Sequence, residues 1–218
     1  MERGAEDSSR VNPWHSLPIA PPHLLPSDRL GVEVFNATAD DKHRIHVDTP
    51  PEPFLGSLNA PIVVLLLNPG VGDDEGRFPE LARSIRQPEP TDKHFYIRGT
   101  NRWWASLTSS LRRDRPNADV SRSILSVEYF PYRSKSFGCG HVRLPSQDYS
   151  FGIVRKAISR QATIVIARGE RHWFGAVPEL VAYEHRVRMI NPRKASLSER
   201  NLAAGGYGKL LHRLDQLD

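Results

Sequence analysis

Four polar positions in this chain each follow a short apolar run: Asn68, Glu128, Arg168 and Asn191. Two are amides, one is a carboxylate and one is a guanidinium. Aromatic residues Tyr129, Phe130 and Tyr132 crowd the second position, and cations Arg133, Lys135, Arg193 and Lys194 follow the second and fourth. Amides hold polar heterocycles and orient water. Aromatic rings stack on planar bases. Cations placed after a strand and before a helix bind phosphate. Together these types describe a pocket for a base attached to a phosphodiester backbone. Nucleophilic chemistry has less support: no Ser-His-Asp or Cys-His pattern accompanies the four positions. Cys139 lies between two glycines near His141, yet nothing at the other positions supports a reactive thiol. His43, His46 and Asp48 resemble metal ligands in type, but no further ligand pattern joins them, so they read as a solvated arm and no metal or cofactor is expected.

Elements must carry these groups to one place. Ile62 to Leu67 is a run of six apolar residues, too short for a membrane span and suited to a buried strand. Asn68-Pro69-Gly70 stops it, since proline donates nothing to a sheet ladder. The acidic loop Val71 to Gly76 lacks the Lys-Ser/Thr of a phosphate-binding P-loop, and its three acids would repel phosphate. Further strands are expected over Ser123–Phe130, Thr163–Ala167 and Arg186–Ile190. Helices are expected over Phe78–Gln87, from about Asn101 to Arg113 with Trp103, Leu107 and Leu111 on one stripe, over Gln147–Arg160 capped by Ser146, and over Tyr207–Leu217. Ser196 with Glu199 forms a capping box, which predicts a helix start there. Strands alternating with helices predict an α/β fold: a three-layer α/β/α arrangement with a four-stranded parallel sheet. In such sheets the carboxyl ends of the strands form one edge, where ligands bind.

Residues 1–53 hold eight of the eighteen prolines and read as a proline-rich N-terminal arm, partly irregular, with a short helix or strand over Leu30–Phe35. The α/β domain then spans 54–218. The net charge of +5 suits a polyanionic partner, and residues 100–143 carry eight Lys/Arg against three acids. A single cysteine excludes an intrachain disulfide framework and a four-cysteine metal site. No apolar run reaches transmembrane length, and the charged first ten residues lack a signal-peptide core. The expectation is a monomer of the cytoplasm, nucleoid or nucleus, neither secreted nor bound to a membrane.

The order of these motifs resembles the uracil-DNA glycosylase superfamily, in particular its mismatch-specific and single-strand-selective branches. The first motif there reads Gly-x-Asn-Pro-Gly. Here it is Leu66-Leu67-Asn68-Pro69-Gly70, with Leu66 in place of the first glycine. Asn101-Arg102-Trp103-Trp104 is similar to the Asn-Arg-Phe-Trp that opens the following helix. Glu128-Tyr129-Phe130-Pro131 is similar to Asn-Tyr-Cys-Pro. Ile164 to Gly169 is similar to the strand that ends in Leu-Gly or a like pair. Asn191-Pro192 opens a segment like the His/Asn-Pro-Ser motif. The resemblance spans roughly residues 54 to 215.

It implies hydrolysis of the N-glycosidic bond of a nucleotide flipped from DNA. Asn68 would position the attacking water, and Asn191 would donate a hydrogen bond to the departing base. Phe78 or Tyr132 would stack on that base. Arg193, Lys194 and Ser196 would hold phosphates, with Arg168 on the same DNA-binding rim. Leu197 would either enter the duplex as a wedge or pack within its own helix. Two departures stand out. Arg193-Lys194 occupies the place of a serine. Glu128 replaces the asparagine that reads uracil; an ionised glutamate only accepts. Glu128 thus suits an amino-bearing base such as a modified cytosine, or it pairs with Arg133 or Arg168. Competing expectations are a glycosylase specific for uracil, a non-catalytic nucleic-acid-binding module on the same fold, and an enzyme acting on a free nucleoside or nucleotide.

Overall fold

The computed structural model describes residues 11–71, 85–86, 102–120 and 122–216. Phe78, most of the expected helix over Phe78–Gln87 and the acidic loop beyond Val71 lie outside the described residues. The chain divides into two compact units. The first comprises Met1–Phe54, Leu67–Pro88 and Glu128–Arg155; the second comprises Leu55–Leu66, Glu89–Val127 and Lys156–Asp218. Each is built from segments distant in sequence.

The second unit is built on a mostly parallel sheet, and the protein is a mixed α/β chain. Its strands are β1 (Phe54–Leu55), β2 (Ile62–Leu66), β3 (Ile124–Glu128), β4 (Thr163–Ile166) and β5 (Arg186–Arg188), in the order β1-β3-β2-β4-β5. Phe54 and Glu128, at the ends of β1 and β3, belong to the first unit. The described sheet therefore has five strands rather than the expected four. The extra one, β1, is two residues long between Pro53 and Gly56, too short to show any periodicity. β2 pairs in parallel with β4, with Ile62 opposite Thr163 and Leu65 opposite Ile166. β4 pairs in parallel with β5. Every residue of β2, β3 and β4 is buried, which is why these strands read as continuous apolar runs rather than alternating ones. β5 is an edge strand, and its central Val187 alone is buried.

Helices cover this unit's core residues. α2 (Arg102–Asp114) buries Trp104, Leu107, Thr108 and Leu111, the i, i+3, i+4, i+7 face of one helix. Trp104 rather than Trp103 takes the core position, and the two rings meet edge to face at 4.9 Å. Of the two later helices, α4 (Glu170–Ala176) buries Trp173, whose Nε1 donates to the Leu66 carbonyl at 2.7 Å, and α5 (Gly206–Asp215) buries Tyr207, Leu210 and Leu214. Gly206 is required where α5 begins: a Cβ there would lie 2.5 Å from Cγ1 of Val187. The helix expected from Ser196 does not form, and residues 195–203 are turn and irregular backbone ending in a bridge between Leu202 and Met189.

In the first unit, residues 11–53 contribute much of the core. A 3-10 turn over Pro13–Ser16 is capped by the Asn12 side chain and buries Trp14. Leu17, Leu24, Leu25 and Ile45 are buried, as are Val32 and Phe35 of α1 (Arg29–Asn36). The segment 11–53 is thus a packed part of this unit, in place of the extended arm that its prolines suggest. Asp28, at 0% exposure, accepts from the Tyr132 hydroxyl at 2.8 Å and from the Ser146 backbone N–H at 3.1 Å. Burial holds its carboxyl above the ordinary range, against the lowering effect of those hydrogen bonds. α3 (Gln147–Ser159), which belongs to this unit as far as Arg155, buries Phe151, Ile153 and Val154. No helix among the described residues is long and apolar enough to cross a membrane.

Candidate functional site

β2 delivers Asn68 two residues past its last strand residue. The turn it enters is held by backbone bonds within the first unit: Phe130 N–H donates to the Leu67 carbonyl at 2.9 Å and Ser134 N–H to the Pro69 carbonyl at 3.3 Å. The Asn68 side chain is half-buried. Its Nδ2 donates to the Pro69 carbonyl at 3.1 Å and to Ser134 Oγ at 2.9 Å. A primary amide has two N–H groups, so both are spent. Any further bond Asn68 makes runs through Oδ1, as an acceptor.

Arg133 braces this turn. Its guanidinium donates from Nη1 to the Gly70 carbonyl at 2.8 Å, from Nε to the Pro50 carbonyl at 3.1 Å, and from Nη2 to Glu52 Oε2 at 2.7 Å. His46 bridges the Arg133 backbone from the other side, its N–H donating to the Arg133 carbonyl at 2.9 Å. Arg133, placed by its sequence among the cations of the rim, is buried and clamps the N-terminal segment to the Asn-Pro-Gly turn. Glu128 ends β3 at 5% exposure, and its backbone N–H donates to the Pro53 carbonyl at 2.9 Å.

Tyr132 requires a correction. At 0% exposure its ring leaves no face for a base. It meets Trp14 and Phe130 edge to face, and its hydroxyl bridges Asp28 and the Leu25 N–H. It is a core tyrosine of the first unit. Burial together with the Asp28 carboxylate pushes its hydroxyl well above the ordinary tyrosine range. Cys139 is also buried, and burial pushes its thiol up to about 12, which suits an inert thiol. His43 and His46 pair with Asp40 and Asp48.

In the second unit, Asn191 opens a 3-10 turn over Pro192–Lys194 and is exposed. Its Oδ1 accepts from the backbone N–H groups of Arg193 at 3.1 Å and Lys194 at 3.4 Å. The amide's remaining capacity is its donor end, Nδ2. Arg193 and Lys194 are exposed, as is Arg168 after β4. Because Asn191 already holds the Arg193 and Lys194 backbone N–H groups, an anion here would meet their side chains.

Asn201 organises this loop and was not anticipated. At 7% exposure its Oδ1 accepts from the Asn191 N–H at 2.8 Å, and its Nδ2 reaches the carbonyls of Lys194 at 3.0 Å, Ser196 at 3.3 Å and Asn191 at 3.4 Å. This explains the missing helix at Ser196. The Asn191 N–H and the carbonyls of Asn191, Lys194 and Ser196 are served by the Asn201 side chain, which lies within the stretch expected to be helical, while Ser196 Oγ pairs with Ser198 Oγ at 3.0 Å instead of capping. Ser196 is half-buried, whereas Arg193 and Lys194 are exposed. Leu197 is fully buried and its N–H donates to the Leu107 carbonyl at 2.8 Å, so it is a core residue of the second unit, neither an exposed wedge nor packed within a helix of its own.

The structure thus brings Asn68 together with Ser134 and Arg133 in the first unit, and Asn191 together with Arg193, Lys194 and Asn201 in the second. The sequence signal for Ser134 and Arg133 was present in the polar stretch after the second strand. Asn201 had none, because its role depends on a ten-residue loop folding back. Compared with protein-family models, curated proteins and solved structures, the chain finds no match.

Proposed function

We propose that this protein is a monofunctional DNA glycosylase that hydrolyses the N-glycosidic bond of a flipped base, on a three-layer α/β/α fold. One observation carries the reading: Asn68 spends both of its amide donors inward and retains an acceptor, the capacity that orients an attacking water. Within the second unit, Asn191 spends its acceptor inward and retains a donor, a capacity that stabilises negative charge on a departing base. The water oxygen bonds to C1′, the C1′–N bond breaks with its electrons leaving on the base, and the proton lost by water goes to solvent. The base takes up a proton as it departs. An amide is no strong base, so the barrier falls chiefly through leaving-group and oxocarbenium stabilisation.

Arg193, Lys194 and Arg168, all exposed, supply cations for DNA phosphates. Glu128 remains the residue we assign to an amino-bearing base such as a modified cytosine, because a carboxylate accepts and does not donate. Incubation with oligonucleotides carrying uracil, hypoxanthine or modified cytosines, followed by alkaline cleavage at abasic sites, tests this. Expected is release of an amino-bearing base, abolished in Asn68→Ala with DNA binding retained. Exclusive release of uracil would remove the role given to Glu128. Burial of Tyr132 and Leu197 favours a second reading, a non-catalytic nucleic-acid-binding module, since it takes away the expected stacking ring and wedge. Salt-dependent DNA binding with no base released from any substrate would establish that second reading.

A further inference from the structure

We infer that Ser134 is a positioning residue that sets which end of the Asn68 amide faces the substrate. The inference rests on the glycosylase reading of Asn68. The terminal torsion of asparagine is broad and roughly two-fold, so oxygen and nitrogen exchange places at little steric cost. Hydrogen-bond partners must therefore decide the orientation. Ser134 Oγ has one hydrogen, and it is committed to the Ser136 carbonyl at 2.9 Å. Toward Asn68 the hydroxyl is then an acceptor, and it receives Nδ2 at 2.9 Å. Were the amide reversed, Oδ1 would face the Pro69 carbonyl, acceptor against acceptor. Ser134 would also have to withdraw its hydrogen from Ser136 to meet Oδ1.

Two acceptors share the Nδ2 donors, but they differ in what they fix. Pro69 is the adjacent residue, and its carbonyl is itself held by the Ser134 N–H at 3.3 Å. Ser134 lies 66 positions away at 2% exposure, on backbone that Arg133 clamps to Pro50 and Glu52. Its hydroxyl is the acceptor that ties the amide directly to a segment distant in sequence. The relay Asn68 Nδ2–H to Ser134 Oγ–H to the Ser136 carbonyl thus points donors inward and keeps Oδ1 for water.

The test compares Ser134→Ala and Ser134→Thr with the full-length parent in two measurements. In single-turnover and steady-state base release, Ser134→Ala is expected to lower kcat about 10- to 100-fold with KM unchanged. Ser134→Thr, which keeps the hydroxyl, restores most of it. Equal kcat in parent and Ser134→Ala, or a loss that Ser134→Thr fails to restore, overturns the inference. The second measurement needs no activity. The Asn68 side-chain 1H–15N pair is expected to be protected from solvent exchange in the parent and in Ser134→Thr, and to exchange at least tenfold faster in Ser134→Ala. Unchanged exchange overturns the inference. If the parent releases no base, the glycosylase reading fails by itself, and the exchange measurement still decides the orientation of the amide.

Discussion

Glu52 is the residue whose loss the structure predicts most sharply. Its Oε2 accepts from Arg133 Nη2 at 2.7 Å, with the glutamate side chain 18% exposed and the arginine 5%. The guanidinium is also committed to Pro50 and Gly70, so it has little freedom to turn toward water when its carboxylate partner goes. Breaking a buried ion pair from one side costs about 3–5 kcal/mol, because a desolvated charge loses its counter-charge. The partial exposure of Glu52 admits some water, which lowers the expectation for Glu52→Ala to about 2–4 kcal/mol. Glu52→Gln keeps an acceptor of the same reach and loses only the charge, so it is expected to cost about 1 kcal/mol. Arg133→Met combined with Glu52→Ala is expected to cost less than the two single changes added, with a coupling of about 1–3 kcal/mol. Urea unfolding followed by both tryptophan fluorescence and far-ultraviolet dichroism measures these values and reports whether the transitions coincide. The consequence should reach the Asn-Pro-Gly turn, since Arg133 also holds the Gly70 carbonyl. A cost for Glu52→Ala within about 0.5 kcal/mol of zero, the range of ordinary surface changes, would refute the clamp.

Three further expectations follow from the packing. Folded Asp28 keeps its proton to higher pH than the unfolded chain, whose value is near the ordinary 3.8. Between that value and the raised one the folded state binds more protons, so this group makes stability fall as pH rises; Asp28→Asn should remove that descent from a stability-versus-pH curve. Cys139, with its thiol pushed up to about 12, should react with an aromatic disulfide reagent at pH 8 far more slowly in the native protein than in urea, and equal rates would contradict its burial. Leu197→Ala should cost about 2–5 kcal/mol in unfolding, and a cost within about 0.5 kcal/mol of zero, the range of ordinary surface changes, would contradict its burial.

Much of the α/β character could be read from the chain because buried parallel strands have no solvent face. Ile62–Leu66, Ile124–Glu128 and Thr163–Ile166 are short, nearly continuous apolar runs for that reason. The helical stripes of α2, α3 and α5 were legible in the same way, from apolar residues recurring every three or four positions. What escaped were features without local periodicity. Two-residue β1 is one. The core role of residues 11–53 is another: prolines mark turns there, but Trp14, Leu17 and Leu25 are spread too irregularly to announce a shared core.

The candidate site divides along the same line. By itself the sequence determined that Asn68 and Asn191 each follow a strand, since a proline after each asparagine interrupts any ladder, and that cations follow Asn191. It could not determine what each amide would offer. Asparagine carries a donor and an acceptor on one group, and only its neighbours in space choose between them. Ser134, 66 positions from Asn68, turns that amide's donors inward. The 3-10 turn over Pro192–Lys194 and the fold-back of Asn201 fix the opposite choice at Asn191. Tertiary structure likewise decided that Tyr132 and Leu197 are core residues, because an apolar or aromatic side chain in a polar stretch suits a ligand face and an interior equally well until the surrounding chain covers it.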